Sequence, residues 1–281
     1  MNLKSKLLAA VAGLVAAAAA VPAFADGGGG NCAGLPGWGQ LRSQLSAAVN
    51  AGGNGGLGFN MWGAIVANDG TVCAVAFSGR SYTDQWLGSR VIAAQKANTA
   101  NDFSLSNGAP PQTSLFPNGL ALSTANLYAA VQPGGSLYGL QHSNPIDPEI
   151  AYQGNAFAYG SPNDPMVGQK IGGVNVFGGG LALYAKGGVK VGAVGVSGDQ
   201  SCTDHFVAWH LRHNLKLDYL SGIGPVPGDD AAHPDNIIFD IAATPGGGLL
   251  NPNGTVGFSA SGFGHPTCVK TGDPATLPAV Q

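Results

Sequence analysis

Two apolar runs, residues 62–67 and 71–77, flank the tripeptide Asn68-Asp69-Gly70. β-branched and aromatic residues on both sides of an Asp-Gly pair predict a β-hairpin. Three further runs, residues 173–177, 181–186 and 189–196, read as strands, punctuated by Gly178-Gly179-Gly180 and Gly187-Gly188. Helical spacing appears in four places. Residues 41–49 place Leu41, Leu45, Ala48 and Val49 on one face before a glycine-rich stop. Residues 87–103 lack proline, and Ala93, Ala97 and Ala100 give a small-residue face able to lie close on a sheet. Residues 120–131 end at Pro133-Gly134-Gly135. Residues 201–217 open with Ser201 and, three positions on, Asp204, in the manner of a capping box. The order helix, hairpin, two helices, loop, three strands, helix predicts an α+β fold: a five-stranded antiparallel sheet with helices packed on it.

Two stretches lack such periodicity. Residues 132–170 carry five prolines and read as a long ordered loop, of the kind that serves as a lid or a site. Residues 219–281 hold eleven glycines and eight prolines. Only residues 237–243 and 255–260 look strand-like there, so this segment reads as an extension wrapped on the domain formed by residues 26–218. The first 25 residues have the three parts of a secretory signal: Lys4 and Lys6, an apolar run over 7–21, and Ala23-Phe24-Ala25 after Pro22. Fifteen apolar residues fall short of the ~20 that span a bilayer, so cleavage before Asp26 is expected and no membrane span remains. The expected location is secreted or periplasmic.

Export changes the meaning of the cysteines. Cys32, Cys73, Cys202 and Cys268 form no Cys-x-x-Cys pair, and in an oxidising compartment they read as two disulfides. Three connectivities exist. Cys32–Cys73 with Cys202–Cys268 is favoured, because each bridge ties a glycine-rich terminal segment to the start of a regular element. Only 10% of residues are charged, and ten basic residues remain, scattered singly, after the leader. A nucleic-acid surface is therefore excluded. With fourteen Asp and one Glu, so is chemistry that needs paired glutamates. Hydrophobic residues make up 44% of the chain, which excludes a charged disordered protein. No Gly-x-Ser-x-Gly or His-Glu-x-x-His pattern occurs, the Gly192/Gly195/Gly198 turn is neither Gly-x-Gly-x-x-Gly nor a P-loop, and no metal site is expected.

Residues 89–100, with Ala93, Lys96, Ala97, Thr99 and Ala100, resemble the A-x-x-K-A-x-T-A helix of the GlcG/HbpS-like family. Gly192, Gly195, Val196, Ser197 and Gly198, followed by Asp204 and Ala208, are similar to that family's G-x-x-G-V-S-G…D-x-x-x-A signature. The resemblance covers roughly residues 32–218. It implies a profilin-like sandwich, assembly into homo-oligomers, and, for some members, binding of haem or another tetrapyrrole. The insertion over 132–170, the cysteines and the extension set this chain in an exported, disulfide-stapled branch.

Several residues are candidates for a small-molecule site. Gly195, Gly198 and Ser201 lie where a strand turns into a helix, and free amides there favour an anion; the plainer role of the glycines is close packing. Lys96 is a counter-ion for a carboxylate ligand or the partner of an internal carboxylate such as Asp102 or Asp204. His205 lies beside Asp204 at the start of the helix, and His210 shares a helix face with His213. His142, with Tyr138 near it, Met166 and His210 are candidate axial ligands of a haem iron. Asp229, Asp230, His233 and Asp235 lack the EF-hand pattern and read as a solvated turn. The pocket is expected between the sheet, the 87–103 helix and the start of the 201–217 helix, with 132–170 as its lid. Three functions remain open: a binding protein for haem or a related tetrapyrrole; an enzyme acting on haem or a small hydroxy-acid through Lys96, Asp204 and His205; or a structural protein whose assembly matters more than a pocket.

Overall fold

A computed structural model describes residues 31–109, 116–241 and 259–281. The leader and part of the second strand-like piece of the extension lie outside the described residues. Among them, four strands form one antiparallel sheet: β1 (Trp62–Ala67), β2 (Val72–Phe77), β3 (Gly180–Ala185) and β4 (Val189–Ser197), in the order β2-β1-β4-β3. The hairpin pairs Trp62 with Phe77 and Ala64 with Val75. On its other side β1 pairs Trp62 with Ser197 and Ala64 with Gly195.

Every residue of β1 and β2 is buried, because helices cover both faces of the sheet. Alternation persists inside the apolar run. Trp62, Ala64 and Val66 face α2 (Ser89–Asp102), while Ile65 and Ala67 face the side held by α1 (Trp38–Val49) and α5 (Ser201–Asn214). The alanine face of α2 does what its small size permits. Ala93, Ala97 and Ala100 are fully buried, and a Cβ on Gly195 of β4 would stand 1.9 Å from the Ala93 carbonyl oxygen. Gly195 is thus the point where helix backbone meets strand backbone.

The sheet has four strands, not five. Residues 173–177 are extended, but their amides go elsewhere. Val174 N–H donates to the Asn144 carbonyl, Asn175 N–H to Thr99 Oγ1, and Val176 N–H to Gln141 Oε1. With its donors spent on side chains and a loop, this segment has no ladder to join. Residues 120–131 are likewise turns ending in a 3-10 turn at Ala129–Val131 instead of a helix. Asn126 Oδ1 accepts from the Ser123 amide and hydroxyl, and Thr124 Oγ1 accepts from Gly180 N–H; such short polar side chains compete with helical bonding.

The 132–170 insertion is no free flap. It holds α3 (Leu140–Ser143), α4 (Pro148–Ala151) and a 3-10 turn at Ala156–Ala158, and it buries Ala151 and Met166 against the α2 face of the sheet. The buried Arg90 fastens it: Nε donates to Asp164 Oδ2 (2.9 Å), Nη2 to Asp164 Oδ1, and Nη1 to the Ala151 carbonyl (2.7 Å). The extension is fastened in the same way. Arg212 of α5 grips Asp235 at 2.6 and 2.8 Å, and the indole of Trp209 donates to the Pro278 carbonyl (2.8 Å). The cysteines pair as Cys32–Cys73 and Cys202–Cys268, with none free. No helix among the described residues is long and apolar enough to cross a membrane.

Candidate functional site

The turn from β4 into α5 is already occupied by the protein's own carboxylates. Asp199 accepts from the amides of Leu57, Gly58, Phe59 and Gln200, at 2.6 to 3.3 Å. Asp204 Oδ1 accepts from Asp199 N–H (2.9 Å), and its Oδ2 lies 2.6 Å from Lys96 Nζ. Asp199 thus draws its donors from residues 57–59 and from Gln200, while in the first turn of α5 the Cys202 amide meets Cys268 Sγ (3.2 Å). Gly198 packs against Asn60 and Met61. Ser201 is the first helical residue and not the cap, which falls on Gln200. Its Oγ accepts from Gly178 N–H and lies 2.7 Å from His265 Nε2.

Lys96 and Asp204 form a wholly buried ion pair. Burial pushes Asp204 up to about 6 and Lys96 below the ordinary lysine range, and each charge pulls the other back. Of the two roles open to Lys96, the structure supplies the internal partner, Asp204. The ammonium also donates to the Val196 carbonyl (3.1 Å) and lies 4.3 Å from the Phe177 ring centroid.

His205 is buried beside Trp209, with Nε2 3.2 Å from Asn236 Oδ1 and Nδ1 without a hydrogen-bond partner. Desolvation pushes it down to about 3, so it stays neutral. His210 and His213 are taken separately: Nδ1 of His210 meets Asn54 Oδ1 (3.0 Å), and Nδ1 of His213 meets Asp218 Oδ2 (2.7 Å). Met166 is fully buried in the core. Among the described residues no three His, Cys, Asp or Glu side chains are grouped to hold a metal ion.

His142 is placed differently. It lines a cavity of about 370 Å³ together with Tyr128, Val131, Gln132, Pro133, Tyr138, Gly139, Gln141, Val176 and Phe177. Gly139, at φ +90°, makes the left-handed turn that starts α3 and presents His142 on that wall. Val176 and Phe177 form the opposite chain segment, held by Gln141 and Thr99 as described above. Tyr128, whose phenol burial pushes above its ordinary value, lies 4.6 Å from the His265 ring. The buried polar cluster is thus adjacent to the cavity: Lys96 touches it through Phe177, and Ser201 through His265 and Tyr128.

These walls suit a planar, mainly apolar ligand. Three aromatic rings and two valines offer apolar faces, His142 and two phenols offer nitrogen and oxygen ligands for a borderline or hard metal, and the amides of Gln132 and Gln141 border them. No Lys or Arg among the described residues lines the cavity, so acidic substituents of a ligand would point to solvent. Tyr128 and Phe177 carried no signal in the sequence, since they stand far apart in the chain and an aromatic residue is ordinarily core.

A model of the family described as "Haem degrading protein HbpS-like" matches residues 44–211. No curated protein matches the chain. Among solved structures, PduOC in complex with haem is 23% identical, with a TM-score of 0.39, over 63% of this chain and 89% of that one. The Klebsiella pneumoniae protein ORFY, of the DUF336 family, is 22% identical, with a TM-score of 0.36, over 62% of this chain and 87% of its own.

Proposed function

Because the chain belongs to the HbpS-like family, we propose that it is a binding protein for haem or a related tetrapyrrole, seated in the cavity lined by His142. The observation that carries this reading is the convergence of one imidazole, two phenols and apolar faces on a single cavity. At about 370 Å³ it lies near the lower end for small-molecule sites, so the ligand is held by part of its surface and remains partly exposed. A bound haem would supply an iron centre with His142 as protein ligand. Val131, Val176 and Phe177 would cover the macrocycle face and exclude water, and the Lys96–Asp204 pair would hold Phe177 in place from behind the wall. The leader, the two disulfides and the charge-poor sequence together support a secreted or periplasmic setting for this binding.

Titration of the disulfide-bonded protein with haemin, followed in the Soret region, tests the reading. Saturation at one haem per chain is expected. A spectrum that stays the sum of its components at every ratio would remove haem as the ligand.

A further inference from the structure

A second cleft, sharing no residue with the first, lies where the start of α1 meets the end of β2 and the insertion. It measures about 280 Å³ and is walled by Trp38, Phe77, Tyr82, Phe157 and Tyr159. The rings are ordered: Tyr82 stands edge-on to Phe157 and to Tyr159, with centroids 6.0 and 6.5 Å apart. Phe157 is 84% exposed, so its ring is open to a ligand from the solvent side.

Two guanidinium groups line the cleft, and a third, the buried Arg90, lies 3.7 Å from the Tyr159 centroid. Arg42 lies 4.9 Å from the Phe77 centroid, and its Nη atoms donate to the carbonyls of Phe77 and Gly79 at 3.4 and 3.2 Å. That arrangement uses two of its five N–H donors and fixes its plane. Arg80 is exposed, and its guanidinium has no partner among the described residues; Asp84 accepts only from its backbone amide and that of Ser81. The contrast is informative in a chain so poor in charge. Arg90 and Arg212 are each locked onto an aspartate, whereas Arg80 is left free beside aromatic rings. Ser81 and Ser161 complete the polar edge, and no carboxylate lines the cleft among the described residues.

We propose that this cleft is a binding site for a small aromatic carboxylic acid, its ring packed among Tyr82, Phe157 and Trp38 and its carboxylate met by Arg80 and Arg42. Size selects a ligand of one or two rings, because the space is smaller than ordinary drug-sized sites. A planar fork of donors matches a carboxylate, and edge-on aromatic packing orients the ring. The acetate group alone would lack the ring contacts, and the neutral alcohol would lack the charge-assisted bonds.

Isothermal titration of the full disulfide-bonded chain with trans-cinnamate tests the site, with cinnamyl alcohol and acetate as companions. One saturable site is expected for cinnamate, with each companion weaker by about tenfold or more. Arg80→Gln and Phe157→Ala change exposed side chains and leave the fold intact, and each is expected to weaken cinnamate by about tenfold. Absence of saturable heat with cinnamate would overturn the proposal. So would wild-type affinity in both variants, which would put the ligand elsewhere on the molecule.

Discussion

Asp229 shows how one side chain can set a pH dependence. Its Oδ2 is buried without a partner, and Asp235 and Asp230 stand close by. Desolvation first, then these like charges, pushes it from 3.8 up to about 9. The folded state therefore holds a proton that the unfolded chain releases above pH 3.8. The associated stability is complete below that value and is lost as pH rises toward 9. Asp229→Asn keeps the shape and removes the titration. Its unfolding free energy at pH 8, measured in denaturant, is expected to exceed the wild type by on the order of 3 kcal/mol, with the difference vanishing near pH 4. The Lys96–Asp204 pair responds in another way. Lys96→Met leaves a buried carboxylate without its counter-ion and is expected to cost about 3–5 kcal/mol, whereas Lys96→Met with Asp204→Leu recovers most of that loss. Equal instability of the single and double variants would show that the pair is not the unit argued here. Lys96 was legible in the sequence as a rare charge in an alanine-rich helix, with Asp204 among its possible partners. Arg90 and Arg212 were not, because their aspartates lie 74 and 23 residues away and nothing local marks them.

At the scale of elements, local signals succeeded where backbone bonding follows local rules. The Asp-Gly hairpin formed, as did the helices around Leu41, Ala93 and Phe206. They failed where polar side chains take backbone partners: Thr99 and Gln141 hold residues 173–177 out of the sheet, and Ser123, Thr124 and Asn126 keep residues 120–131 from coiling. The glycine signature was read as a site or as packing, and the contact of Gly195 with α2 gives packing a concrete role. Gly195→Ala would drive a methyl group into the Ala93 carbonyl and the Ala97 amide. It is expected to separate α2 from β4 and to lower the thermal midpoint steeply, on the order of 10 °C. A midpoint unchanged by this substitution would mean that the helix does not lie so close.

For the whole molecule, the ends are what the fold must hold. The Cys202–Cys268 bridge closes 66 residues, a loop whose closure in the unfolded chain is worth about 4 kcal/mol. Replacing both cysteines by alanine is expected to lower stability by that order and to open the extension around residue 268 to proteolysis first, since only non-covalent contacts such as Arg212–Asp235, Ser201–His265 and Trp209–Pro278 then hold it. The same wrapping decides what the sequence could say of the site. His142 stood out as a histidine in a proline-rich loop, but its wall mates, Tyr128 and Phe177, arrive from segments brought together only by the tertiary fold. Asp199, beside the glycine turn, gave no signal either, because its partners at 57–59 lie some 140 positions away.

The most direct test is the Soret spectrum of His142→Ala beside the wild type under saturating haemin. His142 is exposed and makes no hydrogen bond through its ring among the described residues, so its removal leaves the fold unchanged. The account predicts a shifted band and an affinity reduced by about tenfold or more in the variant. Superimposable spectra and equal affinities would place the haem, or the function, somewhere else.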